Sequence, residues 1–172
     1  MNDKVYIGID LGKNGGICFM INDHITEIYA MPLDSENELD ILRLKTILTI
    51  YPYKMNEVCV VFERITPLHL ASAKANWSLA LQSGAVEALC VALELPFKAV
   101  PPKEWQKYIF TKLPPLRTDK GFSDTKGLAL FAVQTLFPDQ KLTDPLKPRA
   151  TVPHDGIVDA ICLAEFGRKN KL

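Results

Sequence analysis

Four carboxylates stand where the surrounding residues favour chemistry over simple solvation: Asp10, Glu63, Asp155 and Asp159. Asp10 closes the alternating apolar segment that begins at Val5, and Glu63 closes the continuous apolar run from Val58 to Phe62. Asp155 and Asp159 are four residues apart in a segment with helical character, so both project from one face, near a helix N-terminus that favours negative charge. Brought together, such acids repel one another unless a cation joins them. Hard oxygen donors select Mg²⁺ or Mn²⁺, and a cluster of acids can hold two ions about 3.5 to 4 Å apart for in-line displacement at a phosphodiester. In that chemistry one ion lowers the pKa of the attacking water, the other stabilises the leaving 3′ oxygen, and no protein nucleophile is required.

Each acid taken singly also suits a plainer role. Asp10 before Leu11-Gly12 fits a turn, Glu63 a solvated strand end and Asp155 a helix N-cap. Asp159 could face solvent, although Ile157, Val158, Ile161 and Leu163 around it are apolar. Their joint placement carries more weight than any one position.

The elements that must place them can be read from hydrophobic period. Val5, Ile7 and Ile9 alternate with Tyr6, Gly8 and Asp10, a strand pattern, and Gly12, Asn14, Gly15 and Gly16 make a turn. Ile17 to Ile21 and Ile25 to Met31 follow as strands joined at Asn22-Asp23, so the chain opens with an antiparallel meander. Ser35 with Glu38 suggests a capping box, and Leu39, Leu42, Ile47, Leu48 and Tyr51 continue at helical spacing to about residue 51. The run 58–62 is the mark of a strand buried on both faces. If it pairs beside the first strand, Asp10 and Glu63 lie within a few ångströms of each other. An Ala- and Leu-rich segment from about Ala71 to Leu93 predicts a long helix, and Phe97 to Val100 a short strand. Lys103 to Phe110 reads as a short helix with Trp105 inward, 111 to 123 as a mobile surface loop, and a helix capped by Ser123 or Asp124 runs to about Phe137. After a Pro-rich stretch the last helix spans about Asp155 to Arg168. Three antiparallel strands followed by two parallel ones, flanked by helices, predict an α/β fold with a mixed five-stranded sheet.

A length of 172 residues with 48% hydrophobic residues fits a single domain with a full core. The Met1 start runs directly into Asp3 and Lys4, without a signal-peptide pattern, and no stretch reaches the roughly 18 to 20 apolar residues of a membrane span. A soluble, cytoplasmic protein is expected. Cys18, Cys59, Cys90 and Cys162 sit inside apolar runs without metal-type spacing and read as reduced core thiols. The formal net charge is zero, but it is unevenly spread. Residues 1–97 carry a net of −5, residues 98–126 a net of +4, and residues 127–172 a net of +1. An acidic, metal-binding half can therefore stand beside a basic surface, or the charge merely fluctuates along the chain.

The ordered set I-G-I-D-L-G (7–12), V-V-F-E (60–63), V-P-P-K-E-W-Q-K (100–107) and H-D-G-I-V-D-A (154–160) resembles the RuvC family of Holliday-junction resolvases, in a phage or mobile-element branch, over nearly the whole chain. The resemblance implies an RNase H-like fold, a homodimer and paired nicks in four-way DNA, while the acids themselves call for two Mg²⁺ ions, with Mn²⁺ as a substitute. Asp10, Glu63 and Asp159 match the family's first-strand aspartate, strand-end glutamate and last-helix aspartate. Asp155 completes the set, with His154 as an alternate ligand, a proton shuttle or a helix cap. Lys103, Lys107, Lys112, Arg117, Lys120 and Lys126, joined by Arg64 and Lys74, are candidates for phosphate contacts, or else a solvated face. The segment from Arg64 to Leu70 follows Glu63, where the family probes the junction centre, but it carries no Phe or Tyr to stack on a base. The long helix mixes small residues with Leu and Val, so one face suits the sheet and the other a second copy, unless it is only an Ala-rich core helix.

Other functions start from the same residues. Actin-like ATPases and sugar kinases also open with an I-D-x-G strand and turn, but they need two such lobes, and no second D-x-G stands near mid-chain. A nuclease of the same fold acting on other branched DNA or an RNA–DNA hybrid fits the residues as well. A catalytically silent DNA-binding module leaves four acids without a purpose, because acids near phosphates oppose binding.

Overall fold

A computed structural model of the chain describes residues 4–50, 57–67, 72–111, 113–121 and 123–172. Its strands are β1 (Val5–Asp10), β2 (Gly16–Ile21), β3 (His24–Ala30), β4 (Val58–Glu63) and β5 (Phe97–Val100). Its helices are α1 (Ile41–Leu48), α2 (Ala73–Ala92), α3 (Pro102–Ile109), α4 (Thr125–Leu136) and α5 (Asp155–Lys169). The sheet order is β3-β2-β1-β4-β5, antiparallel among the first three strands and parallel from β1 through β4 to β5. This is the expected mixed sheet, with β1 at its centre.

Side chains alternate across a strand, and here the alternation sorts the residues between two cores. Val5, Ile7 and Ile9 of β1, with Val58, Val60 and Phe62 of β4, pack in the core that contains Leu44, Ile47 and Leu48 of α1 and Val86 and Cys90 of α2. Tyr6, Cys59 and Val61 belong to the opposite core, built around α5 and closed from outside by Trp105 of α3 and Ala129, Ala132 and Val133 of α4. Asp10 and Glu63 follow this second register and therefore stand on the α5 side of the sheet.

α5 is buried along nearly its whole length, from Gly156 to Gly167, because it lies between the sheet and the outer helices. Its approach to β1 is a backbone contact. A Cβ on Gly8 would meet the Ala160 carbonyl oxygen at 2.0 Å and the Ala164 nitrogen at 2.6 Å, so only glycine lets the helix this close. Glu165, 2% exposed on this helix, is answered by two hydrogen bonds from Arg168, at 2.7 and 2.9 Å.

The helix expected from the Ser35 and Glu38 capping box does not form there. Asp34 Oδ1 instead accepts the N–H groups of Glu36 and Glu38, both at 2.9 Å, and Asn37 adopts φ 61°. Leu33 and Leu39 pair as an isolated bridge. A short polar side chain that bonds its own backbone competes with helix initiation, and α1 begins only at Ile41, capped by Asp40, whose side chain accepts the Arg43 N–H at 2.9 Å. Tyr51, the expected end of this helix, lies outside the described residues, as does Ala71 at the expected start of α2. α2 is capped by Ser72, and α4 by Asp124. All four cysteines are buried free thiols, as expected of core positions, and burial pushes the Cys90 thiol up to about 12. Among the described residues no helix is long and apolar enough to cross a membrane.

Candidate active site

β1 and β4 run in parallel register as far as Ile9 opposite Phe62, and the next residues on the two strands are Asp10 and Glu63. The start of α5 is brought to the same sheet end by three glycines. Gly15 and Gly156 form a bridge between the β1–β2 turn and the helix. A Cβ on Gly156 would meet the Asn14 oxygen at 2.1 Å, and one on Gly16 the Gly156 backbone at 2.6 Å. The turn therefore lies directly on the helix start, and Asp10, Asp155 and Asp159 line one open cleft of about 640 Å³. Glu63 stands beside it and is felt electrostatically by both Asp10 and Asp159.

The protonation of these acids records their crowding. Asp10 is held well above the usual carboxylate range, first by burial and then by the charges of Asp159 and Glu63, with Lys126 opposing and Asp155 adding to the rise. Asp159 is pushed up to about 6 by burial and by Glu63 and Asp155, against the pull of Lys126. Burial also raises Glu63, opposed by a hydrogen bond from Trp105. A cation among these groups would relieve both the burial cost and the repulsion, and an all-carboxylate donor set suits Mg²⁺ or Mn²⁺.

Two of the acids are already engaged by protein groups. The Lys126 ammonium sits 2.5 Å from Asp155 Oδ2, with both side chains largely exposed. The buried Trp105 indole donates to Glu63 Oε2 at 3.0 Å. Among the described residues no three acids, histidines or cysteines are drawn together into a set that would hold a metal ion as it stands.

The capping roles differ from the simplest expectation. His154 is the N-cap of α5, and its Nδ1 accepts the Ile157 N–H at 3.3 Å. Asp155 is thereby relieved of capping, and its carboxylate turns to Lys126. A cap that uses Nδ1 leaves Nε2 as the ring nitrogen able to act in the cleft, which His154 also lines.

The expected phosphate-contacting residues scatter. Lys103 and Lys107 are exposed on α3, and neither lines the acid cleft. Arg117 and Lys120 are exposed in the following loop, where Arg117 donates to the Gly121 carbonyl at 2.8 Å. Arg64 is exposed next to Glu63 and reaches the Ala99 carbonyl at 3.4 Å. Lys74 lies elsewhere, in a groove with Glu38, Leu39 and Trp77 between α1 and α2. Lys126 is the member of the set that enters the acid site. Lys112 lies outside the described residues, as do residues 68–71 of the loop after Glu63.

Several contributors lie outside the residues singled out from the sequence. Lys13, Arg43 and Lys147 line a second cleft of about 390 Å³ that continues from the acid cleft and shares Lys13, Asn14, Lys147 and His154 with it. They come from three distant segments, two of them in the acidic half of the chain. Gln82 is buried and accepts the Gly12 N–H at 2.9 Å, which ties α2 to the turn after Asp10. A lone glutamine among Ala and Leu was the visible hint.

Two solved structures are similar to this chain along nearly its full length. One, described as T. thermophilus RuvC in complex with Holliday junction substrate, gives a TM-score of 0.62 at 13% identity and covers 96% of each chain. Another, described as Thermus thermophilus RuvC structure, gives a TM-score of 0.59 at 14% identity over 97% of this chain and 96% of that one. No family model and no curated protein matches the sequence. The likeness is one of fold, and the expected RNase H-like α/β architecture is the one adopted.

Proposed function

We propose that this chain is a divalent-metal-dependent endonuclease of the RuvC type that cuts four-way DNA junctions. The observation that carries the reading is the convergence of Asp10, Asp159, Asp155 and Glu63 at one sheet end, on a fold whose similar structure holds a Holliday junction substrate. When bound to such acids, Mg²⁺ or Mn²⁺ supplies an activated water and a counter-charge for the leaving 3′ oxygen.

Asp10 and Asp159 form the inner pair, whose raised affinity for protons marks them as the carboxylates most in need of a cation. Glu63 and Asp155 flank them. Lys126 neutralises part of the acid charge and stands where it can meet a phosphate oxygen as the strand enters. Arg43, with Lys13 and Lys147 once these leave Glu38 and Asp144, would offer a positive path for the neighbouring phosphates, and Lys103, Lys107 and Arg64 a more distant one. His154, which lines the cleft, would carry a proton to or from it through Nε2.

Paired nicks in opposed strands require two such sites, which a two-fold dimer supplies. The exposed face of α2 suits that contact: Trp77 is 67% and Leu81 55% exposed beside an apolar groove of about 720 Å³.

The deciding experiment offers the protein a synthetic four-way junction, a matched linear duplex and an RNA–DNA hybrid, with Mg²⁺ and with EDTA. Junction cutting that needs the metal is expected. Asp10→Asn should lose cutting by at least about 100-fold while still binding the junction, because it removes a ligand and spares the basic surface. Equal cutting of linear duplex, preference for the hybrid, or full activity in Asp10→Asn would refute the assignment.

A further inference from the structure

Trp105 is 2% exposed, yet its indole carries a donor that must find an acceptor once buried. The acceptor is Oε2 of Glu63, at 3.0 Å. Chain geometry makes this contact possible. β5 pairs in parallel with β4, with Val100 opposite Glu63, and Pro101 and Pro102 then turn the chain at once into α3. One helical turn later Trp105 points back at the end of β4. Its ring also meets Phe110, edge to face at a centroid distance of 5.9 Å.

The kind of partner matters. Asp155 is met by an ammonium, which cancels its charge and competes with any other cation. Glu63 is met by a neutral N–H, which takes one oxygen and leaves the charge in place. Glu63 Oε1 has no protein hydrogen bond among the described residues. A carboxylate held this way pays its rotamer entropy before a cation arrives, and outer donors of this kind are worth about 10- to 100-fold in metal affinity where they have been removed.

We propose that Trp105 is a positioning residue of the acid site: through its indole N–H it fixes the Glu63 carboxylate by Oε2 and reserves Oε1 for a divalent cation. The inference rests on the reading of Glu63 as a cation ligand. It makes α3 a structural part of the metal site, where the sequence alone marks Trp105 only as a core residue.

The test removes the N–H and nothing else. The chain has two tryptophans, so Trp77→Phe leaves Trp105 alone, and biosynthetic 3-benzothienylalanine then replaces that indole with a ring of the same shape that lacks the donor. Mn²⁺ binding is followed by electron paramagnetic resonance, and thermal melting in EDTA is recorded for both proteins. The sulfur analogue is expected to bind Mn²⁺ about tenfold more weakly than the Trp77→Phe parent. Trp105 emission in the parent is expected to change over the same Mn²⁺ range. Equal Mn²⁺ affinity in the two proteins overturns the positioning role while the acid site stands. A parent whose Mn²⁺ binding is unaffected by Asp10→Asn overturns the metal site itself, and the role of Trp105 with it. If the analogue lowers melting in EDTA but leaves Mn²⁺ affinity unchanged, Trp105 is structural only and the proposal fails.

Discussion

At the scale of single residues, the acid site balances repulsion against one lysine. Lys126 meets Asp155 at 2.5 Å and lowers the proton affinity of Asp10 and Asp159 from a greater distance. A divalent ion on Asp155 must compete with that ammonium. Because the pair is largely exposed, the competition is worth about 1 kcal/mol, and Lys126→Met should tighten Mn²⁺ binding by about fivefold in a calorimetric titration. Weaker binding in the variant would mean that Lys126 supports the metal site. The raised Asp159 makes the metal-free protein pH-sensitive in a definite direction. Its folded form keeps a proton up to about pH 6, whereas the unfolded carboxyl titrates near 3.8. The folded state therefore binds more protons between these values, and this contribution to stability is lost as pH rises from about 4 to 6. In EDTA, the melting temperature of Asp159→Asn should gain on that of the parent across this window, and a constant difference would contradict the coupling.

At the scale of elements, the site depends on how closely α5 is seated. Gly8, Gly16 and Gly156 let backbone meet backbone, so the first turn of α5 rests on the turn that follows Asp10. Gly8→Ala forces a methyl against the Ala160 carbonyl and should cost about 3 kcal/mol, near the upper end for overpacking, as read by urea melts. A Cβ on Gly84 in α2 would meet nothing within 4 Å, and Gly84→Ala there should instead stabilise by up to about 1 kcal/mol. The opposite signs separate a glycine needed for approach from one that merely weakens a helix. The strands and most helices were legible because period 2 and period 3.6 are local signals. Asp34 shows where that fails: its side chain captures two backbone N–H groups and delays the helix by several residues, a competition that hydrophobic spacing does not register.

At the scale of the whole molecule, the proposed function would divide the surface between two neighbouring regions, joined by the Lys13–Glu38 ion pair and the Gly12–Gln82 hydrogen bond. One holds the acid cleft and the positive cleft beside it; the other exposes Trp77 and Leu81 on α2. If α2 is the contact between two copies, wild-type protein should sediment as a dimer at micromolar concentration, and the double variant Trp77→Glu, Leu81→Glu should sediment as a monomer that keeps its fold. A monomeric wild type would leave the apolar groove without this role and would remove the basis for paired nicks.

In the sequence alone, local period marked the five strands and set the four acids at strand and helix ends, because alternation along a strand and the four-residue step of a helix are properties of neighbouring residues. Tertiary structure decided how those acids are held. That Lys126 pairs with Asp155, that Trp105 reaches Glu63, and that Lys13, Arg43 and Lys147 share one cleft all depend on contacts between residues far apart in the chain. Such contacts are set by how the helices pack on the sheet, and they have no period along the sequence. The four acids were visible as a set; their unequal partners emerged only when the fold brought a cation to one and a neutral donor to another.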